Sequence, residues 1–216
     1  MKKFNRFFTV LMFIFLYAPM AVLIVASFNT GKDITQFEGF TFMQYVRLFR
    51  DNTLLALLGN SVLVAILSSL IATAFGTVAA LGINALSPKM RKLAMTLTDI
   101  PMTNPDIVTG VSLSLLFIFV GSNLMGQKES LTFWTLLIAH ITFSLPYVIL
   151  NVMPKLKQMD SSLTDAAMDL GCTPLQSFFK VTLPEIMPGI LAGGIMAFTM
   201  SLDDFVISYF VTGPDF

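Results

Sequence analysis

Charge is scarce in this sequence: Asp, Glu, Lys and Arg make up 12% of its 216 residues, against 55% apolar. A soluble domain of that make-up would have too little polar surface to cover itself, so the lipid bilayer is the natural solvent. Basic and acidic residues balance to a net charge of zero. No excess remains to neutralise phosphates, which excludes a nucleic-acid partner. Cysteine is limited to Cys172, which cannot form an internal disulfide and has no Cys or His at ligand spacing. It reads as a small filler, and no metal is expected. Histidine is limited to His140, read as a neutral, hydrogen-bonded interior side chain rather than a ligand or proton relay. A nucleotide site is missing too. Gly121 and Gly126 have the spacing of a phosphate loop, but Gln127 stands where the lysine belongs and no strand precedes it, so the segment is a plain loop.

What is present is a series of long apolar runs. Crossing about 30 Å of hydrocarbon takes about 20 helical residues. Five runs qualify, at 7–28, 54–86, 93–120, 131–152 and 185–212. The expected fold class is therefore all-α, a single polytopic membrane domain over residues 1–216, with a polar insert at 153–184. The first run is longer than a signal-peptide core of about 7–15 residues and lacks a small-x-small cleavage site before Asn29, so it reads as a retained anchor. With the N-terminus inside, nine Lys and Arg fall on the inner side and four on the outer. That bias makes the N-terminus and the 153–184 insert cytoplasmic.

Details within the runs sort them further. Segment 29–52 mixes Gly31, Asp33 and Gly39 with Phe37, Phe40, Phe42 and Tyr45, predicting a loop and then a short helix at headgroup depth. Ala72, Gly76 and Ala80 form a small-xxx-small row for close helix packing, and Gly189 with Gly193 form another. Ser87 to Lys92 is a tight basic turn. Pro101 and Pro105 interrupt the third run. Irregular backbone at membrane depth requires protein or a wet cavity beside it.

The insert is amphipathic. Leu163, Ala166, Ala167 and Leu170 recur at helical spacing with Asp160, Asp165 and Asp169 between them. Gly171 reads as a helix end, Thr173 as the N-cap and Pro174 as the first residue of a second short helix, which Leu183-Pro184 ends before the fifth span. Spacing alone allows two readings: a loop resting on the inner leaflet, or a knob for a groove in a partner.

The run Asp165-Ala166-Ala167-Met168-Asp169-Leu170-Gly171, with Val181-Thr182-Leu183-Pro184 after it, resembles the EAA loop of ABC-transporter permease subunits. Asp165 replaces the usual glutamate and Val181 the isoleucine. Asn104 to Val108, His140 to Pro146, Ser201 to Val206 and Phe210 to Pro214 resemble the spermidine/putrescine permeases, specifically the second permease subunit of the pair. The likeness runs from about residue 7 onward. It implies a type I (MetI-like) importer permease fold, with Asp165, Ala166, Ala167, Gly171, Leu183 and Pro184 coupling to a cytoplasmic ATPase dimer. It also implies a homologous permease partner, an extracytoplasmic polyamine-binding protein, surrounding membrane lipid and no cofactor in this chain, ATP and Mg being held by the ATPase. The family has six spans; this sequence carries five up to Phe216, and a five-span chain is expected to assemble poorly.

Acidic residues inside the runs stand out, because an ionised side chain at the bilayer centre costs about 2.5–3.5 kcal/mol even on lenient insertion scales. At about 1.5 Å per residue, Asp203 stands roughly 22 Å from Pro188 and Asp106 roughly 21 Å from Lys92, predicting similar depth. Ser201, Asp204 and Ser208 share one helical stripe, with Asp203 about 100° away. Carboxylates without intramembrane Lys or Arg suit a flexible substrate carrying several positive charges, as a polyamine does. The structural alternative is that these acids cap the broken third helix or bond Ser and Thr hydroxyls on a neighbouring helix. The substrate-path candidates are Asp106, Asp203, Asp204 and, more weakly, Ser201. Rival functions are a permease for another solute such as iron, a proton-coupled secondary transporter and a non-transporting scaffold.

Overall fold

The structure, a computed structural model, describes residues 2–31, 33, 36–123, 131–160 and 162–213, with the side chains of Lys2, Lys3 and Asn5 outside the description. The loop expected at Gly121–Gly126 lies mostly outside it. The chain gathers into two compact units, Met1–Leu58 and Gly59–Phe216. Among the described residues it is helical, with one isolated bridge between Asn29 and Phe40.

In the first unit, α1 (Lys2–Ala26) exposes its large apolar side chains from Phe4 to Val25. Such a surface is stable only in acyl chains, where it orders no water and every backbone group is already paired within the helix. Asn29, 3% exposed, organises the loop that follows. Its Nδ2 donates to the carbonyls of Asp33 and Gln36 at 3.0 and 2.6 Å, while its Oδ1 accepts from the N–H of Glu38 at 2.9 Å. Phe28 packs on Phe40, Phe42 and Tyr45 with ring centroids 5.1 to 5.5 Å apart. The short helix predicted from the aromatics is α2 (Met43–Arg50), with Arg47 and Arg50 in its last turn, where they complement the helix dipole.

In the second unit, most of α3 (Asn52–Ala85) presents Ala72, Gly76 and Ala80 inward, as the small-residue row predicts. Helices α6 (Phe133–Gln158) and α9 (Leu183–Asp203) form its core pair, with Val148, Val152, Ile186 and Ala197 fully enclosed. A Cβ on Gly193 would lie 3.0 Å from the Val148 Cα, so the backbones meet there only because the side chain is absent. In a bilayer the surrounding lipid is as apolar as this core, so the pair is held by such close packing and by hydrogen bonds rather than by expulsion of water.

Among the described residues, five helices are long and apolar enough to cross a membrane: Arg6–Ala26, Asn52–Ala85, Asp106–Asn123, Phe133–Gln158 and Pro174–Asp203. Three differ from the sequence expectation. The third run is not one helix from 93 to 120. Pro105 drives Asn104 into extended backbone (φ −79°, ψ 144°), which separates α4 (Pro88–Thr103), without buried residues, from α5 (Asp106–Asn123). Counting Asp106 along one helix from Lys92 therefore fails. The fourth helix runs past Pro154 to Gln158, because Val152, Met153 and Leu156 are packed in the core on either side of the proline. The fifth starts much earlier and stops sooner, as described next.

Candidate functional site

Irregular places at the two ends of the last long helix carry the sequence-predicted residues other than Asp106. At one, α7 (Ser162–Asp169) ends where Gly171 adopts φ 88°, a backbone region an L side chain enters only with strain. The turn is closed by the Gly171 N–H on the Met168 carbonyl at 2.9 Å and the Cys172 N–H on the Ala167 carbonyl at 3.1 Å. Thr173 and Gln176 then cap each other reciprocally and Pro174 opens α8 (Pro174–Ser177), as expected. The Ser177 hydroxyl reaches back to the Thr164 carbonyl at 3.3 Å, fixing the elbow. Asp165 and Ala166 are exposed and Ala167 is half-buried. Leu170 and Leu175, 87% and 69% exposed, form the tip.

Leu183-Pro184 does not end a separate helix. A π turn (Phe178–Thr182) joins α8 to α9, with the Leu183 N–H donating to the Phe178 carbonyl five residues back. Pro184 has no N–H to offer, and its ring crowds the carbonyl four residues earlier. The widened turn absorbs both problems without breaking the helix.

The second irregularity is a true break. Asp204 is extended (ψ 113°) and ends α9, and α10 (Val206–Val211) starts two residues later. The Asp204 carboxylate makes the new start possible by accepting the N–H groups of Ile207 at 3.2 Å and Ser208 at 3.0 Å, donors the first turn would otherwise leave unpaired. Behind it lies a buried polar cluster. His140, 3% exposed, reaches Ser201 Oγ with Nδ1 at 2.8 Å and Ser208 Oγ with Nε2 at 3.0 Å. Its Nε2 stands 3.8 Å from the Asp204 carboxylate. Ser201, 4% exposed, also bonds Ser68 of α3 at 2.9 Å. The predicted stripe of Ser201, Asp204 and Ser208 thus converges on His140 even though the helix beneath it is interrupted.

In front of the break is an open cavity of about 520 Å³ lined by Asp203, Asp204, Phe205, Ser208, Tyr209 and Thr212, with Leu202 and Ser61 of α3. Asp203 is exposed, and no Lys or Arg is among the lining residues. Phe205 and Tyr209, 73% and 69% exposed, pack together with centroids 5.9 Å apart. Asp106 does not line this cavity. It opens α5, exposed and within electrostatic range of Tyr147. Four residues further on, Gly110 meets the Ile207 backbone, so α5 packs beside α10. Ser68, Ser208, Phe205 and Tyr209 were not singled out as site residues from sequence. The readable signal was a lone histidine on one apolar helix and a hydroxyl-carboxylate stripe on another.

A multi-span helical bundle with a polar break deep in its last long helix and a capped, apolar elbow at the other end of that helix defines a membrane transport component. The chain belongs to the family of inner membrane components of binding-protein-dependent transport systems, which matches residues 72–215. It is 40% identical over 206 residues to the putrescine transport system permease protein PotI of Escherichia coli, covering 94% of this chain and 72% of that one. The spermidine/putrescine transport system permease protein PotC of Escherichia coli is 36% identical over 202 residues, covering 94% and 74%. The Haemophilus influenzae protein of the same name is 35% identical over 209 residues, covering 97% and 79%. With several helices long and apolar enough to span a bilayer, this is a multi-pass inner-membrane protein.

Proposed function

We propose that the chain is the permease subunit of an ATP-driven polyamine importer, with spermidine and putrescine as the substrate class. The observation that carries this reading is the cavity at the break in the last long helix, where Asp203 is exposed and no Lys or Arg is among the lining residues. A flexible cation supplies the missing charge, and the names of the relatives support polyamines over other solutes.

The acids divide their work. Asp203 and Asp106, both exposed, receive ammonium groups as the substrate passes. Asp204 offers one edge to the cavity while its carboxylate holds the start of α10, and Ser201 supports it from behind. The N-terminus and the elbow are cytoplasmic, supported by the distribution of Lys and Arg. The elbow, with Asp165, Ala166, Ala167 and Gly171 in front and Leu183 and Pro184 in the joint behind, docks on a cytoplasmic ATPase dimer. That dimer binds ATP and Mg. A homologous permease completes the pathway, and an external binding protein delivers substrate. Movement of the elbow passes directly into the last long helix, because α8, the π turn and α9 form one uninterrupted rod. This chain itself makes and breaks no covalent bond.

The test is uptake of radiolabelled spermidine and putrescine in cells lacking only this protein. Uptake is expected to disappear, to return with the wild-type gene and to stay low with the Asp203→Asn variant. Full uptake without the protein, or with the Asp203→Asn variant in its place, overturns the assignment.

A further inference from the structure

The buried cluster behind the cavity has a direction. Each serine hydroxyl has one proton to give, and Ser208 Oγ lies 3.1 Å from the Asp204 carbonyl and 3.3 Å from Asp204 Oδ2. A carboxylate is the strongest acceptor in reach, so the Ser208 proton points towards Asp204. The Ser208 oxygen then accepts from His140, which fixes the imidazole proton on Nε2. Nδ1 is left as an acceptor and takes the Ser201 proton, and Ser201 in turn accepts from Ser68 at 2.9 Å, nearer than the Ala65 carbonyl that the Ser68 hydroxyl could otherwise bond at 3.3 Å. One chain of donors therefore runs from α3 through α9 and α6 into α10 and ends on the carboxylate that starts α10.

We infer that His140 is the positioning residue of the cation site: by bonding α9 with one ring nitrogen and α10 with the other, it sets the break that turns Asp203 into the cavity. The inference rests on the polyamine reading of that cavity. The backbone is extended at Asp204 without a proline or glycine to force it, so side-chain bonds must hold the two helices in place. Ser201 is buried and Ser208 half-buried, and the imidazole between them is enclosed, so an unmade bond on either ring nitrogen is costly enough to enforce one arrangement. His140 itself does not line the cavity and touches no substrate. Its effect passes through Ser208 and Asp204, which do line it.

The two ring nitrogens give separate handles. The Gln amide reaches about as far as Nε2 and keeps the bond to α10, whereas the shorter Asn amide mimics Nδ1 and keeps only the bond to α9. Uptake of radiolabelled spermidine by the complete transporter is measured at varied substrate concentration, with the amount of assembled complex as control. His140→Asn is expected to raise KM about three- to tenfold, the effect of one lost buried hydrogen bond, and His140→Gln to raise it less, about two- to threefold, because it keeps the α10 bond and the Ser201 hydroxyl it leaves behind still has Ser68 as a partner. Ser208→Ala removes the same link from the other side without disturbing α6 and is expected to match His140→Asn. An unchanged KM in both His140→Asn and Ser208→Ala, or loss of assembled complex with normal KM in what remains, overturns the positioning role. Asp203→Asn separates the two levels. If it raises KM and the His140 and Ser208 variants do not, only the positioning inference fails. If Asp203→Asn leaves KM unchanged, the cation reading of the cavity fails with it.

Discussion

The two ends of the last long helix are both irregular, but for opposite reasons. At Pro184 a residue that should break the helix does not, because a π turn widens the backbone and keeps its hydrogen bonds. At Asp204 the helix breaks without any residue that should break it, because side chains supply the bonds that the backbone gives up. The first arrangement keeps the elbow and the membrane segment one rod, which under the proposed function carries force from the ATPase. The second leaves the Asp203 carboxylate exposed in an open cavity, which under the proposed function receives the substrate cation. Variants at the Pro184 end should therefore change the maximal rate of transport, and variants at the Asp204 end should change the apparent affinity.

Asp203→Asn is the sharpest test of that division. Losing a charged contact costs about 1.5–3 kcal/mol, so KM for spermidine should rise roughly ten- to hundredfold while the amount of complex stays constant. A fall in maximal rate with KM unmoved would erase the contrast. Gly171→Val comes next. A β-branched side chain at φ 88° carries a strain of about 1–2 kcal/mol, which should lower the maximal rate roughly five- to thirtyfold. Measured KM should stay where it was. Since a Cβ at Gly171 meets nothing within 4 Å, strain and not collision is the cause, and Gly171→Asn should be the mildest replacement because Asn tolerates this backbone region best. Pro184→Ala restores an N–H worth about 1 kcal/mol to an ordinary α turn. Conversion of the π turn would rotate the elbow by about 100° about the helix axis. A maximal rate reduced a few-fold, with normal KM, is expected from transport assays on the assembled complex.

The same contrast explains what the sequence made legible. The small-residue row of α3 and the Gly171-Thr173-Pro174 elbow follow from local rules about close packing and capping and lie where those rules put them, whereas hydropathy located the apolar runs but misplaced the ends of the last three. The break at Asn104-Pro105 was marked by its proline, though not its consequence, a separate amphipathic α4 ahead of a shorter membrane helix. The Asp204 break was invisible to such rules. Its cause is a histidine on another helix, far away in the sequence, together with a carboxylate that doubles as a cap; the Ser201-Asp204-Ser208 stripe marked the polar face but not that the helix stops there. The π turn was hidden for a related reason: Pro184 signals a helix start and a helix interruption equally well, and only packing around Thr182 and Ile186, both buried, keeps the rod continuous. Asp203, Asp204 and Ser201 could be named from sequence as polar residues in a span. Which of them faces a cavity and which serves the scaffold required knowing that the helix stops between them and Ser208.

The smallest expected effect lies at the far side of the elbow. Asp160 accepts the Ser162 N–H at 2.9 Å, at the start of α7. Bonds from the Ser162 backbone and side chain hold its carboxyl below the ordinary value of 3.8. A depressed carboxylate pKa means that the ionised form is preferred in the folded elbow. Its contribution is therefore complete above the ordinary value and is lost as pH falls through the depressed one. At neutral pH, Asp160→Ala should lower the amide protection factors of residues 162–165 in the assembled complex, and lowering the pH of the wild-type protein towards the depressed pKa should lower them in the same way once exchange is referred to the intrinsic rate at each pH. Because the carboxylate is fully solvent-exposed, screening limits its influence. Transport rate and KM should both stay at wild-type values. A KM shift from this position would mean that the elbow and the cation cavity are coupled in affinity as well as in rate, and the division between the two ends of the helix would have to be abandoned.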